Sequence, residues 1–200
     1  MKNKLFVVFI LIALMWRMGD GLAKGVGPIN GAEGEIYVLD ECRFRIADLS
    51  AGTFSVHFGS PAVTGTYDFP RASSFSAIDF SGLGPTFFCL AGASRNDIEN
   101  QLSARRVNGK WVSIDTGNPF SSEHNFKEYS LAEKNWRGVG YVYDDQLFQN
   151  KKFRILNICL IETGGRQVLC VNAPVMNLDN RGIDRLPTLI RVLKSIEFVH

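Results

Sequence analysis

Lysine and arginine total 22 and aspartate and glutamate 20 in 200 residues, so the chain lacks the strong positive charge of a nucleic-acid or anionic-lipid binder. Residues 1–23 hold Lys2, Lys4 and Arg17 against Asp20, and the 177 that follow are balanced at 19 of each sign. Hydrophobic residues at 46% and 15 phenylalanines suit one domain with a core that need not depend on its cysteines.

Lys2 and Lys4 precede an unbroken apolar run of 11 residues, Leu5 to Met15, and Gly21-Leu22-Ala23 places small residues before Lys24. This order predicts a secretory signal peptide over residues 1–23. A membrane-spanning helix needs ~20 apolar residues. The run is shorter, and Arg17 and Asp20 close it off, which disfavours the alternative of an uncleaved anchor. The first cysteine is Cys42, so no lipid-attachment site follows the cut. The expected location is the periplasm, with no stable membrane insertion after cleavage.

Residues 24–34 hold four glycines and a proline and are expected to form a flexible lead-in to a single domain over 35–200. Strands are predicted from Ile36 to Leu39 and from Cys42 to Ile46. Thr53 to Phe58 alternates cleanly, with Phe54, Val56 and Phe58 on one face and His57 on the polar one. Residues 59–75 read as a loop or an edge hairpin. Two short strands, Ser76 to Phe80 and Thr86 to Leu90, surround Gly82-Leu83-Gly84-Pro85.

Ser94 and Asp97 match a capping box, and Ile98 and Leu102 follow at helical spacing, predicting a helix over about 95–106 that ends at Asn108-Gly109. Strands are expected over 110–115, 126–132 and 137–143, with Asp144-Asp145 as a hairpin turn. Phe153 to Ile161 is apolar on both faces, the mark of a central strand covered on both sides. Gln167 to Val171 is its hairpin partner. Leu186, Leu189, Ile190 and Leu193 form a helical stripe over about 185–195 with Pro187 in the first turn, and Ser195 to Val199 is a last strand. Long strand runs with two helices predict a mainly antiparallel α+β domain.

Four cysteines allow three pairings. A two-residue turn at Gly164-Gly165 would set Cys159 directly opposite Cys170, at a hydrogen-bonded pair within disulfide range. That favours Cys159–Cys170 and leaves Cys42–Cys89; the alternative is four reduced thiols packed as small apolar side chains. No close Cys/His cluster exists for zinc, so no metal or cofactor is expected.

Catalytic motifs of the hydrolase, metalloprotease and phosphate-binding types are absent from the sequence. His57 lies on a polar strand face, His124 in a loop after Ser121-Ser122-Glu123, and His200 at the terminus. A nucleophile needs a base within reach and a third group orienting it. Adjacency alone does not supply this for His124, so no catalytic residue is assigned. Asn118-Pro119-Phe120 reads as a turn. Residues 66–88 mix aromatics with Ser, Gly and Pro, and Tyr67, Phe69, Arg71 and Phe75 are the candidate protein interface. The alternative is that these rings belong to the core.

Trp136-Arg137-Gly138, Arg154 leading into Cys159-Leu160-Ile161, Leu169-Cys170, Leu186-Pro187 and Leu193 to Phe198 (LKSIEF) resemble a group of small exported proteobacterial proteins. Members occur beside type VI secretion effectors, and some are periplasmic immunity proteins. The closing helix and strand are also similar to the end of PsbP/DcrB-like domains, which pack an antiparallel sheet between helices. The resemblance covers residues 136–200 and the signal segment, and Val171 stands where the group often has glycine. It implies a non-enzymatic binding domain whose partner is a protein, a cognate toxin blocked by occlusion. A PsbP/DcrB-like accessory or small-ligand role is the alternative, and a secreted hydrolase using His124 the third. The shared motifs are structural, so no site residue transfers.

Overall fold

The computed structural model describes residues 29–31, 34–59, 62–70, 84–120, 124–146, 151–179 and 183–200. The signal segment, the strand expected over 76–80, Arg71 and Phe75 lie outside them.

β11 (Lys152–Glu162) and β12 (Val168–Asn177) form the central hairpin. β10 (Trp136–Gln146) pairs with the other edge of β11, and β9 (Lys127–Glu133) with β10. Beyond β12 lie β6 (Thr86–Cys89), β5 (Val63–Asp68) and β4 (Thr53–Phe58), giving a seven-stranded antiparallel sheet in the order β4-β5-β6-β12-β11-β10-β9. A four-stranded sheet, β1-β2-β3-β13, is built from β1 (Ile29–Gly31), β2 (Gly34–Leu39), β3 (Cys42–Ile46) and β13 (Ile196–Phe198). β7 (Ala104–Val107) and β8 (Lys110–Ser113) are a separate two-stranded hairpin. Among the described residues the helices are α1 (Arg95–Leu102) and α2 (Leu186–Lys194). The architecture is α+β and mainly antiparallel, as the strand-rich pattern predicts.

Two cores follow from the alternation of β11. Leu156, Ile158 and Leu160 point into the larger one, with Phe44 and Leu39 from the four-stranded sheet and Leu189, Val192 and Leu193 from α2, all fully buried. Cys159 points the other way, into a smaller core with Leu102 of α1, Ala104 and Trp111 of the β7–β8 hairpin, and Tyr141. Gly65 allows the larger core to close: a Cβ there would lie 2.3 Å from the Phe54 ring, which meets Phe87 edge-on at 5.0 Å. The C-terminal segment is tied in by side-chain donors, of which the Trp136 indole is buried. Trp136 Nε1 donates to Ile196 O at 2.7 Å, Asn135 Nδ2 to Phe198 O at 2.8 Å, and Gln167 Nε2 to Val199 O at 3.0 Å.

Several local expectations are corrected. The lead-in reaching residue 34 contains β1, which pairs with β2 from Gly31↔Gly34 outward. Residues 59–75 include β5, an interior strand of the large sheet. α1 has its capping box but stops at Ser103, whose φ of 53° is left-handed; residues 104–107 are strand. Asn108-Gly109, with φ of 51° and 78°, turns the β7–β8 hairpin instead of ending a helix, as suits a primed two-residue turn. Asp144 and Asp145 lie within β10, not in a turn.

Both cysteine pairs are joined. Cys42–Cys89 ties β3 of one sheet to β6 of the other, with Cα atoms 5.6 Å apart. Cys159 and Cys170 face each other across β11 and β12 at 3.9 Å. The register is the expected one, but Glu162 N donates to Gln167 O, so the loop spans four residues rather than two. That shifts the ladder by one bond and places the cysteines at a non-hydrogen-bonded pair, the closer of the two spacings. The bridges close chain separations of 47 and 11 residues. On chain entropy, replacing Cys42 and Cys89 together by alanine is expected to cost about 4 kcal/mol, and Cys159 and Cys170 about 3 kcal/mol. Urea unfolding of the two double variants reads the order directly.

Candidate functional site

One strand residue in two faces away from the larger core, and the register lines these residues up. Ser55 pairs with Thr66, Thr66 with Thr86, Thr86 with Asn172, Asn172 with Asn157, Asn157 with Tyr141, and Tyr141 with Glu128. A single polar row thus crosses all seven strands. At the β4 side it is open to solvent: Ser55, Thr66 and Thr86 are half-buried and Asn172 is exposed. Towards β10 it passes beneath α1 and the β7–β8 hairpin, where Asn157 and Tyr141 are 5% and 1% exposed.

Hydrogen bonds organise its inner half in one direction. Asn172 Nδ2 donates to Asn157 Oδ1 at 2.5 Å, Asn157 Nδ2 to the Tyr141 hydroxyl at 3.4 Å, and that hydroxyl to Leu102 O at 2.5 Å. The Cys159–Cys170 bridge lies in the adjacent row and pins the two asparagine-bearing strands together. Burial raises the Tyr141 hydroxyl above the ordinary tyrosine range. Tyr143 is pushed up to about 12, by burial first and by the neighbouring Asp145 carboxylate next. Both therefore stay protonated donors at neutral pH. Around them Phe120 stacks on Phe126 at 5.0 Å, and Phe120, Phe126, Trp111 and Tyr143 all lie within 5.0–5.5 Å of the Tyr141 ring. Asn118-Pro119-Phe120 is not a turn: the turn lies at residues 114–116, and Pro119 bridges antiparallel to Val112 while Phe120 N donates to Trp111 O.

The β7–β8 hairpin is the second feature. Ala104, Trp111 and Val112 are buried, while Arg105 and Lys110 are exposed and Val107 is 42% exposed beside the tight turn. Arg106 lies over the Trp111 ring at 5.2 Å and pairs with Glu128.

The four residues expected at an interface are not brought together as one. Tyr67 is fully buried, its hydroxyl donating to Leu49 O at 2.6 Å, because the core-facing parity of β5 points it inward. Phe69 is half-buried, edge-on to Tyr67 at 5.1 Å and beneath Arg185 at 4.8 Å. Arg71 and Phe75 fall outside the described residues. Of the histidines, His57 is exposed and its Nε2 lies 2.7 Å from Thr66 Oγ1. His124 is exposed near Asp144, and His200 Nε2 lies 3.4 Å from the buried Glu162 carboxylate. Among the described residues no group of three His, Cys, Asp or Glu is placed to hold a metal ion, and no helix is long and apolar enough to cross a membrane.

No protein-family model, curated protein or solved structure matches the chain. The two disulfides fit an oxidising, exported environment.

Below the polar row, Arg154 binds Asp144 through Nε at 2.8 Å and Nη2 at 3.1 Å, and Asn125 Nδ2 adds a third bond at 2.7 Å. Burial acts to raise the Asp144 carboxyl, but these bonds and the guanidinium charge bring it below its ordinary value. A depressed carboxyl contributes stability above its unfolded pKa of ~4 and loses it as pH falls through the folded value. Asp144→Asn is therefore expected to cost about 1 kcal/mol at pH 7 and close to nothing at about pH 2. Thermal melts at both pH values check this. Tyr67→Ala is expected to cost about 3–4 kcal/mol, as a core truncation, and calorimetry distinguishes it from a surface change.

Proposed function

We propose that this chain is a non-enzymatic periplasmic binding domain that acts as an immunity protein, neutralising a type VI secretion toxin by occlusion. Such a protein needs export, a rigid scaffold and a projecting surface with a few strong anchors. The observation that carries the reading is the β7–β8 hairpin. It is fixed by buried Ala104 at its base and buried Trp111 one pair from its tip, it turns tightly at Asn108-Gly109, and it offers Arg105, Val107 and Lys110 outward. An apolar side chain between two cations fits an acidic cleft, and little conformational freedom is lost on docking. The disulfides and the segment expected to direct export support the location, and the resemblance of residues 136–200 supports the partner class.

A tagged copy recovered from the periplasm of the source bacterium is expected to carry a stoichiometric toxin, and deletion of the gene to abolish survival under attack. Recovery of no toxin together with unchanged survival overturns the reading. The double variant Arg105→Glu with Val107→Asp is expected to change stability by no more than about 0.5 kcal/mol. It should weaken the complex by about a hundredfold, measured by calorimetric titration.

A further inference from the structure

We infer that the open half of the polar row is a binding site for a neutral, hydroxyl-rich ligand, an oligosaccharide chain. This goes beyond the protein-binding reading and does not rest on it, because the hairpin tip and the sheet face are separate surfaces.

A polar outer face is the ordinary state of an antiparallel sheet, but here the polarity does not stop at solvent. It continues under the roof to Asn157 and Tyr141, in a place where apolar side chains would pack at no desolvation cost. The same small core holds Trp111, whose buried Nε1 has no hydrogen-bond partner among the described residues. Buried amides and an orphaned donor are poor choices for stability alone.

The direction of the hydrogen bonds indicates what the row offers. Each donor from Asn172 inward is aimed at the interior and ends on the Leu102 carbonyl. The chain polarises towards its outer end, where the Asn172 side-chain oxygen has no partner among the described residues. Thr86 Oγ1 donates to Gly84 O at 3.4 Å, which leaves its lone pairs available. Thr66 Oγ1 is held by His57 on the next strand. The open half is therefore a line of acceptors spaced by neighbouring strands, ~4.8 Å apart. It carries no fixed charge to attract an ion. A ligand that fits presents hydroxyl donors along an edge at about the width of a sugar ring.

Phe88, half-buried on this face, stands in the row next to Thr86 and Asn172. It supplies the apolar surface on which the C–H face of a sugar packs, the mix of an aromatic wall and few polar groups expected of a ligand site. The Cys159–Cys170 bridge and the inner hydrogen bonds fix the asparagines before any ligand arrives, so binding loses little ordering entropy.

The test titrates the purified exported protein with cellotetraose, chitotetraose and maltotetraose, followed by side-chain amide signals in NMR and by calorimetry. At least one sugar is expected to saturate with a Kd of about 1 mM or tighter, shifting the Asn172 and Asn157 amide signals. The near-isosteric Thr86→Val should weaken it about tenfold with Tm unchanged, Asn172→Ala should weaken it as much while lowering Tm because the buried Asn157 Oδ1 loses its donor, and Arg105→Glu should leave it unaltered. If Asn172→Ala fails to fold, Thr86→Val decides alone. Saturation by none of the three sugars, or wild-type affinity in Thr86→Val, overturns the inference. Neither result bears on toxin neutralisation, which is read separately by survival.

Discussion

A strand that is apolar on both sides cannot lie at a surface, and β11 is such a strand. From Ile155 to Leu160 every residue is buried. Leu156, Ile158 and Leu160 demand one cover and Ile155 and Cys159 another. The four-stranded sheet and α2 meet the first demand; α1 and the β7–β8 hairpin meet the second. The layers of the molecule are the answer to one two-sided segment, and the remaining strands widen the sheet on either side of it.

The two covers are unequal, and the inequality makes the site. The cover over the larger core spans the sheet from Phe54 on β4 to Leu131 on β9. The smaller one reaches over β10 and β11 but leaves the β5 and β6 side of that face half-buried. A row of residues at one register level therefore begins in solvent and ends in the interior. Asn157 sits at the boundary, in the middle of the strand that must otherwise be apolar. Its amide is satisfied on both sides, by Asn172 and Tyr141, which is the condition for a polar group to be tolerated there.

The parts legible in the sequence are those whose signals are local. Cys159 and Cys170 are symmetric about Gly164-Gly165, so their opposition could be read off whatever the loop length. The stripe from Leu186 to Leu193 has a helical period and gave α2 within a residue. Asn108-Gly109 was ambiguous because glycine after asparagine serves both a helix end and a primed turn; what separates them is whether Ala104 and Trp111 can bury together, a tertiary matter. Ser, Gly and Pro around Tyr67 leave a surface and a core position both open in the sequence, and strand parity sends it inward. The polar row was not legible at all. Ser55, Thr66, Thr86, Asn172, Asn157 and Tyr141 share nothing in sequence, and five successive strand pairings are needed before they meet.

The way β13 is held has a temporal side. Ile196 and Phe198 complete a sheet whose other strands lie at residues 29–46, and the indole of Trp136 waits for the Ile196 carbonyl. The first strands and the last therefore close on each other only when residue 198 has been delivered. A polypeptide threaded through a narrow pore from its amino end would keep that sheet unfinished throughout transit. The final click of assembly then belongs to the far side of the barrier, where oxidants are also found.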